Sequence, residues 1–239
     1  MTENTAVNSP TDEISAALAR TTRLSRYAQR LLAASGPLLD DLRQNQGRPF
    51  TRAEMQAPLA AANIADETEL QRALRGLRKR VMLRTIHRDL NALADLAEVT
   101  AAMTALAELS LDAAVRQHRR WLGEIYGEPM YGEPVGQESG AVQELIIIGM
   151  GKLGGGELNV SSDIDLIFVY PEDGETSGFK KISNHEFFTK LGQRIIAALH
   201  EVTADGFVFR VDMRLRPYGD SGALVSSYAM LEDYLVSQA

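Results

Sequence analysis

Asp163 and Asp165 are the first residues in this sequence whose type and spacing imply chemistry. They stand at the head of an apolar run, Ile164 to Tyr170, that reads as a strand. Side chains alternate across a strand, so both carboxylates point to one face while Ile164, Leu166 and Phe168 point to the other. Two carboxylates that close repel unless a cation sits between them, and Mg²⁺ or Mn²⁺ takes carboxylate oxygens and substrate phosphates as ligands. A second segment, Gly206 to Pro217, alternates in the same way. It places Phe207, Phe209, Val211, Met213 and Leu215 on one side and Arg210, Asp212, Arg214 and Arg216 on the other. An acid among arginines suits a metal-bound phosphate, the acid sharing the cation and the guanidiniums pairing with phosphate oxygens. A solvent-facing strand with ion pairs is the plainer alternative.

Elements of a particular kind must position these residues. Leu145 to Ile148 reads as a buried strand, and the glycine-rich stretch Gly149-Met150-Gly151-Lys152-Leu153-Gly154-Gly155-Gly156 follows it. The glycine spacing matches a dinucleotide-binding fingerprint, but a parallel crossover needs a helix of roughly a dozen residues before the next strand. Only Gly155 to Ser162 separate Gly154 from Asp163. A Walker-type loop fails too, because no Ser or Thr follows Lys152. What remains is a strand, a short glycine-led helix whose N–H groups can hold phosphate oxygens, and a strand presenting two aspartates. Ser161 and Ser162, just before Asp163, can contact a phosphate or shape the turn.

The chain has 239 residues, 45% hydrophobic and 24% charged, enough for one or two globular domains with a core. It has no cysteine, which excludes disulfides, zinc-thiolate sites and a catalytic thiol. A net charge of −7 argues against a nucleic-acid-binding role. The polar N-terminus lacks a signal peptide and no apolar run reaches membrane-spanning length, so the expectation is a cytoplasmic protein without membrane contact.

Residues 1–10 read as a disordered tail and 11–127 as an all-helical region. One helix is expected up to about Ala34, where Ser35-Gly36-Pro37 breaks it. Thr51 with Glu54 and Asp66 with Glu69 have capping-box spacing. Arg72, Arg75, Arg78, Lys79, Arg80, Arg84 and Arg88, and then Arg116, Arg119 and Arg120, read as a solvated helix face paired with acids, or as a docking surface for an acidic partner or part of a phosphate pocket. The histidines His87, His118, His185 and His200 lack metal-ligand spacing and read as surface or helix-end residues. Residues 128–142 read as a linker and 143–239 as a catalytic domain, with a helix from Asn184 to about Glu201.

A glycine loop, then Asp163-x-Asp165, then a later acid, Asp212, resembles the nucleotidyltransferase superfamily typified by DNA polymerase beta. GMGKLGGGELNVSSDIDLIF with FVFRVDMRLRPYGDSGALV is similar, more specifically, to the N-terminal, adenylyl-removing half of the bifunctional glutamine synthetase adenylyltransferase and adenylyl-removing enzymes. The Asn-Val-Ser-Ser-Asp-Ile-Asp form resembles that half; the C-terminal half of the family usually carries Ser-Asp-Leu-Asp. The resemblance implies an α+β chain, helical first and then a nucleotidyltransferase domain incomplete at its C-terminus. It implies phosphorolysis of adenylyl-tyrosine on glutamine synthetase, giving ADP, within an enzyme that also adenylylates glutamine synthetase from ATP and regulates nitrogen metabolism. Asp163, Asp165 and Asp212 would be the catalytic metal ligands, with Mg²⁺ or Mn²⁺ as cofactor. Gly151, Lys152, Gly154, Gly155, Ser161, Ser162, Arg214 and Arg216 would bind nucleotide and phosphate, and the PII signal protein would be a partner. The chain is expected to be a truncated piece, feeble alone. The alternatives are a nucleotidyltransferase acting on RNA or a small molecule, or an inactive regulatory fragment.

Overall fold

The computed structural model describes residues 10–132 and 140–238. The expected disordered tail, Pro10 apart, lies outside the described residues, as does the middle of the expected linker, 133–139. The ends of that linker are tied down, Met130 N–H donating to Glu175 O and Gln143 N–H to Pro129 O.

The chain begins with helices α1 (Pro10–Leu24), α2 (Arg26–Ala34), α3 (Gly36–Asn45), α4 (Arg52–Ala61), α5 (Glu67–Leu90) and α6 (Leu96–Tyr126). The single helix expected up to Ala34 is two helices. Ser25 takes an extended conformation and its hydroxyl accepts from Ala28 N–H, which starts a new helix where periodicity alone continues the old one. Thr51 and Glu54 form the expected reciprocal capping box on α4.

Helix α5 is the axis of the helical region, packed against α1, α2, α3, α4 and α6. Its basic residues therefore divide: Arg72 is exposed, and Lys79 and Arg80 pair with Asp205 and Asp41 in keeping with a solvated face, but three arginines turn inward. Arg75, Arg84 and Arg88 are buried. Arg84 reaches Asp41 and stacks over Phe50, while Arg88 pairs with Glu98 and donates to Gln46 O and Leu93 O. Two histidines are also core residues and not surface ones: His87 and His118 are both fully buried, with His87 held between Thr21 and Gln46. Buried groups of this kind call for internal partners, which the three arginines and His87 have and the ring nitrogens of His118 do not.

The second half builds a small mixed sheet from β1 (Ile146–Met150), β2 (Ile164–Tyr170), β3 (Val211–Asp212) and β4 (Val225–Ser227), making the fold α+β. Strand β1 runs antiparallel to β2, and β3 and β4 run parallel to it at its two ends. The antiparallel β1–β2 pair, joined through the four-residue helix α7 (Gly151–Gly154), rules out a dinucleotide-binding crossover. Among the described residues strand β1 pairs with β2 alone and is half-exposed, so the expected buried strand is an edge strand. Helix α8 (Asn184–His200) lies on the inner face of the sheet, Phe187, Phe188, Leu191 and Ile195 meeting Ile164, Leu166, Phe168 and Tyr170 in the core. Helix α9 (Tyr228–Gln238) follows β4 directly. One continuous core runs from Phe50 through α5 and α6 to α8 and Val225.

Candidate functional site

Strand β2 carries Asp165 and begins one residue after Asp163. The two parallel strands place Asp165 directly opposite Asp212. Neighbouring strands lie about 4.8 Å apart, so two side chains in register on one face can reach a common ligand. The positions 47 residues apart that pattern alone could not join are thus neighbours through the sheet.

The glycine loop is folded over this pair. Gly151 has φ +54°, and a Cβ there would lie 3.0 Å from Asp165 Oδ2, so only glycine brings the backbone this close to the carboxylate. The N–H groups of residues 151–154 belong to a first helical turn and have no acceptor inside it. The next amides are used within the loop: Gly155 N–H donates to Gly151 O and Gly156 N–H to Leu153 O. Lys152, Gly154 and Gly155 are exposed. Asn159 closes the loop, its Oδ1 accepting from Ser162 Oγ at 2.8 Å and from Ser161 N–H at 3.3 Å. Ser162 therefore shapes the turn that delivers Asp163.

Each outer acid has a guanidinium. Arg210 pairs with Asp163 and also donates to Ser161 O. Arg214 grips Asp212 through its own N–H at 2.9 Å, through Nε at 2.8 Å and through Nη2 at 2.5 Å. Those bonds hold the Asp212 carboxyl below the ordinary carboxylate range, the Arg214 side chain being the main cause, and raise Arg214 in turn. They also end the strand. The alternation expected over 206–217 does not hold: Val208 and Phe209 are both buried, Leu215 is half-exposed, and only Val211–Asp212 is strand. Arg216 leaves the acidic face, donating to Met213 O at 2.8 Å and facing Asp220 at 3.5 Å.

The donor set suits a hard divalent cation in chemistry, three carboxylates with Asp165 and Asp212 in register. As placed, Asp163 and Asp212 are turned to guanidiniums, and among the described residues no group of three or more His, Cys, Asp or Glu is spaced to hold a metal ion. A cation taking these ligands would replace the guanidinium charge. A cleft of about 1010 Å³ lies between α6 and β1 on the face away from Asp165; the glycine loop borders it through Leu153 and Gly154, and Arg116, Arg119 and Arg120 line its α6 side.

From the sequence neither Asn159 nor His200 has a part in this site, and Arg210 is offered as a phosphate partner and not as the partner of Asp163. Nothing local marks His200, whose Nδ1 accepts from Val211 N–H at 3.0 Å across ten intervening residues.

The family model described as glutamate-ammonia ligase adenylyltransferase matches residues 15–239. The chain belongs to that family. Curated members named bifunctional glutamine synthetase adenylyltransferase/adenylyl-removing enzyme are similar to it throughout. The protein of Chromobacterium violaceum is 54% identical over 94% of this chain and 24% of its own length. That of Nitrosomonas eutropha is 52% identical over 90% of this chain and 23% of its own, and that of Ralstonia nicotianae 49% over 96% and 24%. This adenylyltransferase-family chain thus spans about a quarter of the length of the relatives it matches. No helix among its described residues is long and apolar enough to cross a membrane.

Proposed function

We propose that this chain performs the adenylyl-removing reaction, phosphorolysis of adenylyl-tyrosine on glutamine synthetase. The observation that carries a nucleotidyl-transfer site is Asp165 opposite Asp212, with the Gly151 backbone against the Asp165 carboxylate. Support for the protein substrate is the name shared by its relatives. Support for removal over transfer is the Asn159-Val160-Ser161-Ser162-Asp163-Ile164-Asp165 motif, which resembles the N-terminal half of the family.

An oxygen of inorganic phosphate forms the new bond to the α-phosphorus, the bond to the phenolic oxygen breaks, and the phenolate takes a proton from water, leaving tyrosine and ADP. Asp163, Asp165 and Asp212 would hold Mg²⁺ or Mn²⁺, which supplies charge neutralisation at the attacking and departing oxygens. Phosphate is already anionic and needs little general-base help. Asp212, held low by Arg214, suits an ionised ligand better than a proton acceptor. Arg214 is at the surface and can turn from Asp212 to a phosphate oxygen, where Lys152 and the amides of residues 151–154 add donors. Arg216, folded inward, is a weaker candidate for that role.

The test offers adenylylated glutamine synthetase, phosphate and Mg²⁺ to the chain and to a version extended to the length of its relatives, and separately ATP with unmodified glutamine synthetase. ADP in the first assay is expected, from the extended version above all, since a better-covered site excludes water. Asp165→Asn should abolish both ADP formation and Mn²⁺ binding while leaving the melting temperature nearly unchanged. AMP transfer in the second assay with no ADP in the first would reassign the direction, and transfer to RNA or a small molecule alone would reassign the substrate class.

A further inference from the structure

The C-terminal end of α8 and the strand bearing Asp212 are finished by the same set of bonds. A helix leaves its last carbonyls without intrahelical partners. Here Ala197 O accepts from Glu201 N–H, and Leu199 O accepts from both Val208 N–H and Phe209 N–H. Ala198 O is taken by Arg75 from α5, at 3.0 Å. The same guanidinium donates to Gly206 O at 2.7 Å, Glu201 O at 2.5 Å and Gln71 O at 3.2 Å. Arg75 is 1% exposed, so these four carbonyls take its guanidinium, the bond to Ala198 O buried and the other three partly so.

Its neighbours on α5 grip the same segment. Lys79 pairs with Asp205 at 2.6 Å, Arg78 stacks over the Phe207 ring at 4.7 Å, and Gln71 reaches Glu201. From there the chain is fixed residue by residue. Phe209 is buried, Arg210 O accepts from Ile164 N–H, His200 accepts from Val211 N–H, and Asp212 arrives opposite Asp165. Strand β3 is only two residues long, too short to set its own register by ladder bonds.

We propose that Arg75 is a positioning residue for Asp212: by binding Ala198, Glu201 and Gly206 carbonyls together it sets where the α8–β3 connection delivers the third carboxylate. Its catalytic meaning rests on the phosphorolysis reading; its structural meaning does not. The cost of truncating it follows from chemistry, because Ala198 O and Glu201 O lose their guanidinium donor at once, and Gly206 O, which keeps Thr203 N–H, loses its tie to α5.

Hydrogen exchange followed by mass spectrometry on wild type, Arg75→Met and Arg75→Lys, without substrate, tests the structural arm. Amides of residues 201–212 should exchange at least about tenfold faster in Arg75→Met, while those of α6 and of the β1–β2 pair stay as in wild type. Arg75→Lys, which keeps the charge but lacks the planar fork, should fall between, and it carries the test should Arg75→Met fail to fold. In ADP formation both variants should lose kcat, about tenfold or more for Arg75→Met, with KM for phosphate changed little. Added guanidinium ion should restore part of the Arg75→Met loss. Exchange that rises equally everywhere, or not at all in 201–212, overturns the proposal; so does a lowered melting temperature with unchanged kcat. If wild type itself forms no ADP, the function reading fails and the exchange result still decides where Arg75 acts.

Discussion

At the scale of single residues, charge is handled in two different ways in this molecule. Near the candidate site the two outer acids each have an exposed arginine as partner: Asp163 with Arg210, Asp212 with Arg214. Deep in the helical region the rule is different. His118 on α6 is fully buried, lies edge-on to Trp121, and neither ring nitrogen has a hydrogen-bond partner. Burial, with the charge of Arg194 adding to it, pushes its pKa down from 6.5 to about 4. Between those values the unfolded chain binds a proton that the folded chain refuses, so stability rises with pH in that window. The contribution is complete above about pH 6.5 and is lost as pH falls toward 4. At about 1.4 kcal/mol per pKa unit it amounts to roughly 3 kcal/mol. Urea melts at pH 7.5 and pH 5 should show a marked loss for wild type and a much smaller one for His118→Phe. Equal losses in the two proteins would mean that His118 is not the group responsible. The sequence puts this residue at the surface or a helix end, because one histidine carries no spacing signal and its burial depends on how α6 meets α8.

Elements show where local pattern is a good guide and where it yields. Cap signals transfer well, since a cap is an interaction over three or four residues: Thr51 with Glu54, Asp66 with Glu69 and Ser183 with Glu186 all start helices where expected. The Asp-x-Asp strand is equally legible, its buried face running Ile164, Leu166, Phe168 and Tyr170. The strand expected over 206–217 is not. Val208 and Phe209 fold back on one carbonyl, and the Asp212 side chain captures Arg214 N–H, so side-chain-to-backbone bonds override alternation on both flanks. Edge or centre is likewise invisible for β1, because an apolar run does not say how many neighbours a strand has. One glycine measures how closely α8 must approach the sheet. A Cβ on Gly192 would lie 2.9 Å from the ring of Phe168, itself buried, and 3.5 Å from Val225. Gly192→Ala gains up to about 1 kcal/mol of helix propensity, yet overpacking of this kind costs about 1–3 kcal/mol. A net loss of about 1–2 kcal/mol in chemical denaturation is expected. A stabilised Gly192→Ala protein would show that α8 can retreat from β2 without penalty.

At the scale of the whole molecule, the helical region and the sheet are bound as one body. Helix α8 touches β3 and β4 on its sheet side and α5 and α6 on the other, so neither half covers it alone. Leu153 and Leu158 of the glycine loop join the same core as Leu106 and Leu122, and Leu158 N–H reaches Thr104 on α6. Two arginines add directional ties: buried Arg75 crosses from α5 to the α8–β3 connection, and the partly exposed Arg194 on α8 meets Glu67 at the start of α5. A sequence divided at residues 128–142 by composition gives no hint of this, because glycine and proline mark a change of local conformation and not a gap between cores. The consequence concerns cooperativity. If the two regions were separately stable, calorimetry would resolve two transitions, and residues 143–239 would fold when expressed alone. With one shared core we expect a single heat-absorption peak for the 239-residue chain, its calorimetric and van't Hoff enthalpies in agreement. We expect residues 143–239 alone to show no cooperative melt, because the surface of α8 that meets α5 and α6 would face water. Two resolved peaks, or a dispersed amide spectrum from the isolated segment, would refute the single-body reading. They would also free the placement of Asp212 from α5, since a sheet that folds unaided would not need Arg75 to set it.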